Sequence, residues 1–266
     1  MHFFTYALAY SVSLLAGLVV CLKIGHMMGR RHQAMAKASG GSALDGVVFA
    51  VLGLLLGFSF SASIDTYTAH RAFLFKEAND ISLAFAKVDL LPEDDQVPLR
   101  AMLLEYAAMR LAATEAAIGS GEEQTALLSS KRLEDGIWTR VMEAVKKTGS
   151  EAALTTVVGT FSSMTDATAD QMAEQQSHMP RIIYILIFIL CLMAALVAGF
   201  GMGTAAAIPL LRTAVFALSV VAITYVIIDM EHPRSGIFQS QNENVALRAV
   251  IEDMRDLQTL RQSLPR

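Results

Sequence analysis

Hydrophobic residues fall in long uninterrupted blocks along this chain, grouped before residue 65 and after residue 181. Phe3 to Leu22 runs for about 20 residues without a charge, enough to cross a hydrocarbon core of about 30 Å. Its positive charges, Lys23, Arg30 and Arg31, come after the run and not before it, the reverse of a signal peptide. A retained helix is predicted. Gly46 to Ile64 is a second uncharged run, again about 19 residues. Nothing breaks the chain at its end. From Tyr67 the apolar positions narrow to a stripe of Leu74, Ala78, Ile81, Phe85 and Val88, spaced three or four apart as on one face of a helix. The first proline after residue 42 is Pro92. One helix is therefore predicted over 43–91, long enough at 1.5 Å per residue to project well beyond a bilayer.

Residues 92–180 are polar and rich in Ala and Glu, with helical spacing and no strand alternation. Three helices are predicted: one starting at Pro98 and ending at Gly119-Ser120-Gly121, one over about Gln124 to Lys147, and one over about Ser150 to Met179. Ile182 to Leu211 is too long for one span and suits a span plus a turn, with Gly199, Gly201, Gly203 and Pro209 supplying the turn. Thr213 to Ile228 completes a fourth span, and the tail from Asn244 reads as an amphipathic helix.

The predicted fold is thus an all-α membrane protein with four transmembrane helices in two pairs and a helical extramembrane bundle between them. Its segments are 1–42 (first span and basic connection), 43–91 (second span and stalk), 92–180 (extramembrane helices), 181–232 (span pair) and 233–266 (turn and tail helix). Composition agrees. Hydrophobic residues make up 54% and charged residues 17%, against roughly 25% charged in soluble domains. The net charge of −4 supplies no basic field for nucleic acid, and that class is excluded. Cys21 and Cys191 both sit in apolar runs and read as small buried residues, not as a disulfide or metal pair. Lys and Arg are nearly balanced between the two faces, so orientation stays open.

No nucleophile elbow, P-loop, HExxH or paired intramembrane aspartate is present, and the six histidines have no ligand-like spacing. An enzyme, a metal and a cofactor are not expected. Gly53 and Gly57 form a small-xxx-small pattern suited to close helix packing. Ser59 and Ser63 share a face and could line a wet path; bonding back to the helix carbonyls is the competing reading. Arg71 falls on the apolar stripe, where it either seeks an acidic partner among Glu77 and Asp80, with Asn79 nearby, or reaches to headgroups. Asp229 and Glu231 close the fourth span, where carboxylates oppose the helix dipole; Arg234 is the nearest basic residue.

These residues carry a resemblance. Leu56-Gly57-Phe58-Ser59-Phe60-Ser61, Arg71, Glu77-Ala78-Asn79, Leu90-Leu91-Pro92, Leu104-Glu105-Tyr106 through Arg110, and Ile228-Asp229-Met230-Glu231-His232-Pro233-Arg234-Ser235-Gly236 resemble, in order, the motifs of the bestrophin-like family of multi-pass membrane proteins. That family is distantly similar to bestrophin anion channels. The resemblance implies a homo-oligomer, pentameric by analogy, in the plasma membrane (the inner membrane of a bacterium), with the lipid bilayer and ions as its partners. It further implies an anion pore lined by the second span, with Leu54 and Phe58 in an apolar neck. No dense acidic cluster follows the fourth span, so a calcium site is not carried over. The competing expectation is a non-conducting scaffold or signalling protein, built on the same two helix pairs and bundle.

Overall fold

The computed structural model describes residues 2–32, 43–149, 151–174, 180–205, 210–231 and 244–263. Among these are eight α-helices: α1 (His2–Arg31), α2 (Ala43–Lys87), α3 (Glu93–Glu115), α4 (Gly121–Thr148), α5 (Glu151–Glu174), α6 (Arg181–Gly201), α7 (Leu210–Met230) and α8 (Val245–Ser263). Four of them, α1, α2, α6 and α7, are long and apolar enough to cross a membrane. The chain divides into two compact units, one made of residues 1–68 and 178–238, the other of 69–177 and 239–266.

The first unit holds the spans. Leu14, Leu18 and Leu22 of α1 meet Leu52 and Leu56 of α2, Ile187, Cys191 and Ala194 of α6, and Ala217 and Val220 of α7. Its tightest contact is α1 on α6. A Cβ added at Gly25 would lie 2.1 Å from the Leu196 carbonyl oxygen, and one at Gly199 would lie 2.3 Å from that of Leu22. Gly29 and Gly203 repeat the relation one turn on. Two small-xxx-small pairs, 25/29 and 199/203, thus face each other so that backbones touch. The turn expected at Gly199 is displaced for this reason: Gly199 lies within α6, which ends at Gly201 and tightens into a 3-10 turn over Met202–Thr204. Pro209 lies outside the described residues. His26 donates from Nδ1 to the Met202 carbonyl at 3.1 Å beside this contact.

The second unit is built from the remainder of α2 with α3, α4, α5 and α8. Ala78, Ile81 and Phe85 of α2, with Val88 just past its end, pack with Leu99, Leu103 and Tyr106 of α3, Ile137 and Val141 of α4, and Phe161 of α5. Leu247, Ile251 and Met254 seat α8 on the same core. α2 ends where proline dictates. Leu91, the residue before Pro92, is extended (φ −95°, ψ 163°), as preproline sterics require, after a 3-10 turn over Val88–Leu90. α3 then starts at Glu93, earlier than Pro98 suggested, with three acids (Glu93, Asp94, Asp95) in its first turn where the helix dipole favours them. Ser120 caps α4 by accepting from the Glu123 N–H at 3.1 Å, while the Glu123 carboxylate accepts from the Gly119 N–H at 2.6 Å. Gly149 ends α4 at φ +67°, a left-handed cap that glycine adopts without strain.

Candidate functional site

α2 presents opposite faces to different surroundings within the first unit. Leu52, Leu56, Ser59 and Ser63, spaced four, three and four apart, are buried against the other spans. Leu54 and Phe58 point away and are 59% and 66% exposed. Gly53 and Gly57 are exposed beside them, and a Cβ at either would meet nothing within 4 Å. The glycine pair read as a packing motif is therefore unused inside the protomer, where 25/29 and 199/203 do that work. Leu54, Phe58, Ser59 and Ser63 do not form one lining, because the two serines are turned inward.

One of the inward serines meets acid. Ser63, fully buried, donates its hydroxyl to Glu231 Oε2 at 3.3 Å. Two residues earlier, Asp229 accepts from the Tyr225 hydroxyl at 3.4 Å. Both carboxylates are nearly inaccessible, at 1% and 2% exposure. The Tyr184 hydroxyl oxygen is buried in this unit as well, with no hydrogen-bond partner among the described residues. The Ser63–Glu231 contact links α2 to the end of α7, while the Tyr225–Asp229 contact lies within α7. In both a hydroxyl donates to a carboxylate that, at such a depth, must be satisfied. Arg234, the basic residue expected here, lies outside the described residues.

In the second unit the charged residues take unexpected partners. Glu77 forms a buried ion pair with Arg110 of α3. Arg71 is exposed, and so is Asn79. Of the two acids considered for Arg71, Glu77 is thus committed to another arginine, and the Asp80 carboxylate lies 3.9 Å from the Lys76 ammonium. Arg110 was within reach of sequence reasoning: it continues the stripe Leu99, Leu103, Tyr106 at helical spacing, so two apolar stripes each carried one opposite charge. Asp89 is shared by Arg100 and by Arg261 of α8, the latter through two contacts of 2.6 and 2.5 Å. Arg248 of α8 also reaches Glu115, with contacts of 3.0 and 2.5 Å. Among the described residues, no group of three or more His, Cys, Asp and Glu side chains converges as a metal site does.

The bestrophin-like domain family matches residues 11–245, which is most of the chain. The protein belongs to the bestrophin-like family. The solved structures agree at the level of the fold. A crystal structure of a variant bacterial bestrophin homologue from Klebsiella pneumoniae is similar with a TM-score of 0.69 at 9% identity, over 92% of this chain and 98% of that one. The same Klebsiella pneumoniae homologue, solved by zinc phasing, is similar with a TM-score of 0.65 at 10% identity, over 90% and 96%. A structure described as a membrane protein is similar with a TM-score of 0.68 at 10% identity, over 96% and 100%. No curated protein matches the chain. This bestrophin-like chain is accordingly an all-α membrane protein whose spans come as two pairs.

Proposed function

We propose that this bestrophin-like protein assembles into a homo-oligomeric ring, five copies by family analogy, and conducts ions along an axis lined by α2. The observation that carries the reading is the outward face of α2. Leu54 and Phe58 lie opposite the helix's buried side, and glycines without neighbours flank them. Small residues on that flank allow the α2 helices of adjacent copies to approach closely. Leu54 and Phe58 then project toward the axis as a hydrophobic constriction, which gates by dewetting. Ser63 holds α2 to its own bundle through Glu231 instead, and Ser59 is buried on the same side. The protein resides in the plasma membrane, or in the inner membrane if its cell is bacterial.

Purified protein in planar bilayers tests this. Phe58→Ala widens the constriction and raises unitary conductance. If neither wild type nor Phe58→Ala conducts, and the detergent particle seen down the membrane normal is a dimer without an axial hole, the protein is a scaffold.

A further inference from the structure

We infer that Asp65 sets the charge selectivity of this channel and that the selected ion is a cation. The inference rests on α2 lining the conduit, as proposed above. Val51, Leu54, Phe58, Ser61 and Asp65 follow one another at spacings of three, four, three and four, and every one of them is exposed. At about 100° per residue, Asp65 falls within about 20° of Phe58 and about 10 Å further along the helix. It stands on the side opposite Leu52, Leu56, Ser59 and Ser63, which are buried.

Asp65 is also the only charged residue in 46–68. Nothing on this stretch of α2 offsets it. Arg71 is six residues on, turned about 120° away from it. The next cation returning to the same side is Lys76, eleven residues on, and its ammonium lies 3.9 Å from the Asp80 carboxylate.

In a ring of copies, one residue at this position becomes a collar of carboxylates at the end of an apolar constriction. The low-dielectric walls formed by Leu54 and Phe58 focus the field of that collar along the axis. Rings of Asp or Glu are the lining that favours cations, whereas anion pores carry Arg or Lys. The anion expectation from the family resemblance therefore has no basic residue to support it over 46–68 of α2, while a cation has Asp65 in each copy. Asp65 is exposed, so its replacement leaves the core of the protomer intact.

The experiment is a reversal-potential measurement in planar bilayers under a potassium chloride gradient, with wild type, Asp65→Asn and Asp65→Lys, each first shown to elute as the same oligomer. Wild type reverses toward the potassium potential, Asp65→Asn lowers the cation-to-anion permeability ratio several-fold, and Asp65→Lys moves the reversal toward chloride. A wild-type channel that prefers chloride overturns the inference, as does a ratio unchanged in both variants. Such outcomes leave the channel itself standing. Silence of wild type and of Phe58→Ala removes the channel and the inference together.

Discussion

Glu77 and Arg110 close on each other inside the helical unit outside the spans, with only 2% of each side chain exposed. They come from α2 and α3, so the pair ties the stalk to the bundle at one fixed register. Burial of two charges is tolerable only because each satisfies the other. Breaking such a pair by removing one partner generally costs about 3–5 kcal/mol, whereas replacing both with apolar groups of similar volume is often neutral. Glu77→Leu and Arg110→Met should therefore each lower the thermal unfolding temperature of the detergent-solubilised protein sharply, and the double variant Glu77→Leu/Arg110→Met should recover most of the loss. Additive losses in the double variant would show that the two side chains act independently.

The glycines divide into two classes with different predicted behaviour. At Gly25 a methyl group would have to occupy space already held by the Leu196 carbonyl, and at Gly203 it would meet the backbone of Gly29 at 2.3 Å. Neither backbone can move without separating α1 from α6. Gly25→Ala and Gly203→Ala should each destabilise the protomer by about 1–3 kcal/mol, the usual range for overpacking. Gly53→Leu meets open space in the protomer and should leave monomer folding unchanged while weakening the oligomer. Cross-linking and size-exclusion chromatography separate the two effects.

Acid stability should report on Asp95. Its carboxylate is held below the ordinary aspartate range first by a hydrogen bond from Lys147 at 2.9 Å, aided by the charges of Lys147 and Arg140 and opposed by burial. A carboxylate with a depressed folded-state pKa stabilises fully above its unfolded value of about 3.9, and that stabilisation disappears as pH falls through the folded value. Unfolding temperature should hold down to about pH 4 and drop below it. Asp95→Asn should lower the plateau and flatten the acid limb. An acid limb identical to wild type would assign the transition to other groups.

Packing and charge contribute unequally to the seating of α8. Met254 is 1% exposed in the core, and its truncation to Ala falls in the class that costs about 2–5 kcal/mol. The Arg248–Glu115 pair is well exposed, with side chains 63% and 38% accessible, and such pairs are worth about 0–1 kcal/mol. Limited proteolysis of the full-length protein should accordingly release the tail rapidly in Met254→Ala and scarcely faster than wild type in Arg248→Ala.

The four spans, the long second helix and the helical character of the middle segment could be read from the chain because they are local. Charge-free length decides what lipid accepts, and apolar spacing decides which face of a helix seeks a core. Pro92 and the Gly119-Ser120 pair marked ends through backbone sterics and capping, which also act over a few residues. The tertiary structure alone decided partnership. Gly25 and Gly199 are 174 residues apart, and no local pattern says which small-residue pair in a chain with several will be the one pressed against a neighbour. For the same reason Arg71 looked like the arginine to be neutralised, although Glu77 lies against Arg110, and Ser59 and Ser63 looked able to share a lining with Leu54 and Phe58. One helical period is compatible with either side facing inward. Only the arrival of α1, α6 and α7 on one side of α2 distinguished the buried face from the face that carries Phe58 and Asp65.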